Sequence, residues 1–157
     1  LLIVKAVKPT RRWRLFVAYV STYLNFMGQT EEAFKFYAQA FQTENTLRIT
    51  RFSDMPITPG TPSIPSDEQN FVMHAELKIT GDHTLMATDM LRSMGHEVRV
   101  GNNTTISLNL DTRAQADHLF GILSEGATEM AAMMEMPFGY WGVALDRFGI
   151  RWMFNVA

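Results

Sequence analysis

Cysteine is absent from this 157-residue chain. That removes disulfides and thiolate metal sites, and it gives no sign of an oxidising compartment. No apolar run approaches the ~20 residues that a membrane-spanning helix needs. Glycine-rich nucleotide loops, Gly-x-Ser-x-Gly elbows and His-Glu-x-x-His helices are also missing. Acidic residues are missing from the first twenty positions, which hold Lys5, Lys8, Arg11, Arg12 and Arg14. The remainder carries nine basic against sixteen acidic residues, a formal −7. An acidic body argues against nucleic acid as the main partner. The basic opening segment lacks the continuous apolar stretch and small-residue cleavage site of a targeting peptide. We expect residues 1–20 to lie outside the domain and the protein to be cytoplasmic, with no membrane partner.

What the chain does contain is a repeat. Tyr23-Leu-Asn-Phe26, a turn and the helical run Thr30–Phe41 are echoed by Ser107-Leu-Asn-Leu110, a turn and Thr112–Leu123. Phe34, Tyr37, Ala38 and Phe41 fall at i, i+3, i+4 and i+7, as do Ala116, Leu119, Phe120 and Leu123. Thr30 can cap the first helix, and Thr112 with Gln115 has capping-box spacing at the second. Strands are predicted at 21–26, 44–52, 71–79 and 84–88, then at 104–110, 127–133, 140–145 and 151–156. Each module is thus strand–helix–three strands, and two such modules indicate an α+β fold with mostly antiparallel sheets. The boundaries predicted are 21–89, a connector 90–103, and 104–157. Prolines 56, 59, 62 and 65 mark Ser53–Asn70 as a long loop, of the kind that often covers a site. The eleven Met and eleven Phe suit adaptable core packing or an apolar pocket.

Several motifs in order carry a resemblance: Tyr23-Leu-Asn-Phe with Glu31–Tyr37, Arg51-Phe-Ser-Asp-Met-Pro56, Met73-His-Ala-Glu76, and Asp146-Arg-Phe-Gly-Ile-Arg-Trp-Met153. Over residues 21–156 the chain resembles the PhnB-like branch of the vicinal oxygen chelate superfamily, the glyoxalase and bleomycin-resistance group. The resemblance implies paired βαβββ modules whose sheets form an open, barrel-like cup around a ligand, commonly in a homodimer. The superfamily holds lyases, isomerases, transferases, dioxygenases and pure binders, so function rests on the site.

Metalloenzymes of the superfamily place His, Gln or Glu on the first and last strand of each module. The matching positions here are Ser21 or Thr22 with Met86, and Thr104 or Thr105 with Met153. Thioethers and hydroxyls are poor partners for such divalent ions. We therefore expect no metal and no cofactor, with Met86 and Met153 as an apolar pocket floor. The ligand pocket expected from this is Thr22, Asp54, His74, Met86, Thr105, Trp141 and Met153. A methyltransferase label sometimes attached to this branch is not expected to apply, since no glycine-rich strand–loop–helix for adenosylmethionine is present.

His74 and Glu76 are two apart on one predicted strand, so they share a face. They are the candidate catalytic pair, a base and its orienting partner, or two ligands of a displaced metal; a strand edge with a hydrogen-bonded His and a solvated Glu is the bland alternative. Asp54 either caps a turn or projects over the cup. His83, His96 and His118 read as surface residues. Asn25 and Asn109 share a repeat position, which suggests a common structural job such as hydrogen bonding to neighbouring backbone. Trp141 and Trp152 read as core or dimer contacts, and Gly149 as a turn residue with positive φ. The expectation is a metal-independent small-molecule binder; the alternative is an enzyme using His74 or a non-standard metal.

Overall fold

The computed structural model describes residues 18–56, 58–60 and 63–157. Most of the N-terminal segment set apart above lies outside the described residues. Two βαβββ modules follow. In the first, β1 (Thr22–Phe26), α1 (Thr30–Phe41), β2 (Arg48–Arg51), β3 (Val72–Lys78) and β4 (Thr84–Asp89) form a sheet in the order β1-β4-β3-β2. In the second, β5 (Ile106–Asn109), α2 (Arg113–Leu123), β6 (Glu129–Met136), β7 (Gly139–Leu145) and β8 (Arg151–Val156) repeat it as β5-β8-β7-β6. The first and last strands of each module pair in parallel and the other neighbours are antiparallel. Among the described residues both sheets are open, one ending at β1 and β2 and the other at β5 and β6.

Differences from the sequence reading are local. The strand expected at 44–52 shrinks to Arg48–Arg51, with single 3-10 turns on either side. The strand expected at 127–133 starts at Glu129, runs on to Met136 and carries a bulge between Ala131 and Met134. Gly142 stands against that bulge, where a Cβ would meet Met133 Sδ at 2.5 Å.

Thr30 does not cap α1; Gln29 is the cap residue and makes no side-chain bond. The helix start is held instead by Asp89, at the end of β4. Its Oδ1 accepts from the Gly28 and Thr30 N–H groups and from the Thr30 hydroxyl, and its Oδ2 accepts from Val72 N–H. A carboxylate at a helix N-terminus satisfies orphan donors and the dipole together. The second module solves the same problem locally. Thr112 Oγ1 accepts from Gln115 N–H, and Gln115 returns the favour to Asp111 N–H.

One core joins both modules. Leu24, Phe26, Ala75, Leu77, Leu85 and Ala87 from the first sheet pack with Leu108, Ala144, Trp152 and Phe154 from the second, around the buried sides of α1 and α2. Helix α1 buries a wider arc than its periodicity predicts, because Phe36 meets Phe148 and Tyr37 meets Trp152 on the module-two side. Asp146 is the polar centre of this junction. Its Oδ1 accepts from the Phe148 and Ile150 N–H groups; its Oδ2 accepts from the Tyr37 hydroxyl at 2.7 Å and Trp152 Nε1–H at 2.8 Å. Burial first, then the neighbouring Asp146 carboxylate, pushes the Tyr37 phenol well above its ordinary range. Gly149 closes the turn with φ +84°, where a Cβ would strike Val100.

Candidate functional site

Strand alternation gives each sheet one face toward the shared core and one away from it. Leu24 and Phe26 point inward on β1, so Tyr23 and Asn25 point outward. Met86 and Thr88 lie outward on β4, and His74 and Glu76 outward on β3. The register sets Tyr23, Met86, Glu76 and Arg48 in one cross-strand row. On the second sheet, Ser107, Met153, Val143 and Ala131 form the matching row, flanked by Asn109, Asn155, Trp141 and Met134. Met86 and Met153 are therefore repeat equivalents, as the sequence suggested.

The expected pocket residues are distributed as follows. Ser21 sits 3.6 Å from Met86 Sδ, whereas Thr22 shares the inward parity of Leu24 and bonds His83 Nε2 at 2.9 Å. The outward residue that pairs with Met86 is Tyr23, one position on from Thr22. Thr105 precedes β5 and is half-buried. Met86 and His74 share the first sheet's open face; Met153 and Trp141 share the second's. Because both sheets turn their buried faces to one core, these two open faces look away from that core. Among the described residues no hydrogen bond or ring contact joins them. Clefts among the described residues include one that meets the second face at Asn109 and one that reaches the first face at Glu76. One, of about 240 Å³, is lined by the end of α1 and by Asn109, Asp111, Gln115 and His118. The other, of about 340 Å³, is lined by Tyr19, Thr46, Glu76 and Thr84.

Asp54 caps the turn after β2, accepting from Arg51 N–H at 2.7 Å. Arg51 in turn reaches Glu31 and the Asn70 carbonyl. Hydrogen bonds from Lys35 and then Arg51 hold the Glu31 carboxyl below its usual range. The proline-rich loop is tied to the connector through Glu68. Glu68 accepts from the Arg92 and Ser93 N–H groups and from the Ser93 hydroxyl, which lowers its pKa, the hydroxyl bond contributing most. Asn25 and Asn109 are exposed, and neither side chain makes a hydrogen bond among the described residues; they do not share the hydrogen-bonding role expected. Trp152 is wholly buried and Trp141 half-buried.

The chemistry on these faces centres on one chain of side chains. His74 Nε2 lies 3.1 Å from Glu76 Oε1, and His74 Nδ1 lies 3.5 Å from the Tyr23 hydroxyl, which reaches over β4 from β1. The Tyr23 and His74 rings are 6.0 Å apart and tilted by 31°. The sequence brought His74 and Glu76 together but missed Tyr23. A divalent metal is the group the scaffold would imply. The row that would hold it offers a phenol and a thioether in module one, and a hydroxyl and a thioether in module two. His74 and Glu76 are two ligands without a third: among the described residues, no three His, Cys, Asp or Glu side chains gather in a metal-holding group. The donor set does not fit the superfamily's ion.

Comparison with known proteins places this scaffold. The family model described as 3-demethylubiquinone-9 3-methyltransferase matches residues 18–154. The crystal structure of protein PA1353 from Pseudomonas aeruginosa is 32% identical, with a TM-score of 0.74 over 88% of this chain and 97% of that one. A putative 3-demethylubiquinone-9 3-methyltransferase, PhnB protein, from Bacillus cereus is similar in fold. It shows 23% identity and a TM-score of 0.69 over 89% of this chain and all (100%) of that one. A glyoxylase/bleomycin resistance protein/dioxygenase domain from Frankia sp. EAN1pec shares the fold at 15% identity and TM-score 0.58, over 90% and 96% of the two chains.

Proposed function

From the premise that this chain belongs to the family described as 3-demethylubiquinone-9 3-methyltransferase, in the PhnB-like branch of the vicinal oxygen chelate superfamily, we propose that it is a metal-independent small-molecule-binding protein. Its ligand lies on the open strand faces, against Met86 and His74 of one chain and Met153 and Trp141 supplied by a second copy. The observation that carries this reading is the register: the first- and last-strand partners are Tyr23 with Met86 and Ser107 with Met153, none of them a usual ligand for a divalent ion. Polarizable thioethers beside aromatic and amide groups suit an organic ligand instead.

The open faces also support a homodimer. Tyr23 on the first open face and Met134 on the second are 49% and 43% exposed. Exposed apolar side chains on open sheet faces suit an interaction surface. A second copy laid across the two faces would turn an open sheet into a walled cup. The test is metal analysis of the purified chain with a divalent-ion thermal-shift series, and light scattering for its mass. Stoichiometric metal would overturn the metal-free reading, and a monomer at working concentration would overturn the cup formed by two copies.

A second reading, an enzyme of the same superfamily, is favoured by the His74–Glu76 hydrogen bond and its extension to Tyr23. The methyltransferase description is not carried over to this chain. Methyl transfer calls for an adenosylmethionine site, and the strands form two mixed four-stranded sheets without a glycine-rich strand–loop–helix.

A further inference from the structure

We propose that Tyr23 is a nucleophile, that His74 is its base, and that the pair captures acyl groups from small activated esters and thioesters. The support is the direction of each contact. A carboxylate only accepts, so Glu76 fixes the proton of His74 on Nε2, at 3.1 Å. That leaves the Nδ1 lone pair aimed at the Tyr23 hydroxyl, 3.5 Å away. A nucleophile beside a base, with a third group orienting the base, is the arrangement that activates hydroxyls for covalent chemistry, and the first contact is commonly long before substrate binds. A merely structural histidine on β3 needs only the Glu76 bond; it does not need a phenol brought across the intervening β4.

Neighbouring groups leave this line of three undisturbed. Arg48 stands in the same row as Glu76, but its guanidinium is bonded to the Asn45 and Leu47 carbonyls. Thr88, on the strand between, gives its hydroxyl to the Val72 and Asp89 carbonyls. Met86 lies between Tyr23 and Glu76 in register and offers a thioether surface to an acyl or aryl group.

In the step itself, the Tyr23 oxygen attacks the acyl carbonyl carbon while its proton passes to His74 Nδ1. The bond from that carbon to the leaving oxygen or sulfur breaks, and the aryloxide or thiolate departs with the electron pair. The imidazolium, held by Glu76, returns the proton to it. The products are an O-acyl Tyr23 and a free phenol or thiol. The inference rests on the metal-free reading in one respect: a cation held by His74 and Glu76 would occupy the base.

The experiment uses the full chain, dialysed against a chelator and mixed with p-nitrophenyl acetate. Nitrophenolate release is followed, and peptide mass spectrometry locates the acetyl group. Tyr19 is an internal control: it is 69% exposed against 49% for Tyr23, so exposure alone favours Tyr19. The expected result is acetylation of Tyr23 roughly a hundredfold faster than Tyr19. Tyr23→Phe removes the fast phase and Glu76→Gln slows it. His74→Ala abolishes the preference, and free imidazole restores it, which a purely structural histidine would not allow. Tyr19 labelled as fast as Tyr23, an acetyl group resting on His74, or no imidazole rescue would overturn the proposal. Metal found in the untreated protein would overturn the metal-free reading alone, because the labelling is read after chelation.

Discussion

Replacing Asp146 by alanine should be among the most damaging single polar changes in the described residues, alongside loss of Asp89. The carboxylate accepts four hydrogen bonds at once, two from backbone N–H groups of its own turn, one from Trp152 and one from Tyr37 of the other module. The residue is 1% exposed, and Tyr37 and Trp152 are fully buried, so water cannot readily replace it. Each stranded buried donor costs about 1–3 kcal/mol, and donors sharing one acceptor do not add fully, so the loss should be about 4–6 kcal/mol. That is a large part of the roughly 5–15 kcal/mol that holds a domain of this kind together. Asp146→Asn should cost less, about 2–3 kcal/mol, since its carbonyl keeps two donors and the Tyr37 hydroxyl can rotate to accept. Trp152 Nε1–H cannot rotate and stays unpaired. The assay is urea unfolding followed by tryptophan fluorescence and far-ultraviolet circular dichroism together. Asp146→Ala within about 1 kcal/mol of the wild type would refute the reasoning.

The junction has a pH signature. With its folded pKa raised, Tyr37 contributes stability that is intact below the unfolded value of about 10 and is lost as pH rises through the folded value. Alkaline melts above pH ~10 should therefore fall more steeply for wild type than for Tyr37→Phe; equal slopes would exclude Tyr37 as the cause. Phe34→Ala and Leu119→Ala, on repeat-equivalent buried faces, should each cost about 2–5 kcal/mol in the same urea assay. Glu68 is lowered, so its grip on the connector is present above its ordinary value of 4.5 and lost as pH falls through the folded value. Glu68→Gln at neutral pH should expose the loop around residues 63–70 to limited proteolysis, and wild type should match it only in acid. Unchanged cleavage in the variant would remove the latch from the account.

Much of the fold was legible because its signals are local. Two helices with matched i, i+3, i+4, i+7 faces and turn residues between strands show the βαβββ order without any long-range information. What was missed depends on contacts far apart in the chain. Thr30 has the composition of a cap, but Asp89, 59 residues away, takes the cap's place. Asp146 and Gly149 read as a family mark and a turn, and only the fold shows Asp146 holding Tyr37, 109 residues away. At the candidate site a single position mattered. Strand side chains alternate, so an uncertainty of one residue in where β1 begins exchanges Thr22 for Tyr23 and moves the site to the other face. Nothing in the spacing shows that a phenol on β1 will reach a histidine on β3, because the strand between them comes later in the chain.

The central claim is that this scaffold works without the superfamily's metal, and the direct measurement is the melting temperature of the wild-type chain beside the variant Met86→Glu. Met86 pairs in register with Glu76, with His74 on the same face, so the substitution supplies the carboxylate the site lacks. Two like charges across a strand pair destabilise the protein without metal, and a divalent ion that binds both reverses the loss by mass action. Wild type should purify without stoichiometric metal and melt at the same temperature with or without Mn²⁺, Ni²⁺ or Zn²⁺. The variant should melt lower in chelator and recover with Ni²⁺. Wild type that carries one ion per chain, or that melts higher in any of these ions, would contradict the account.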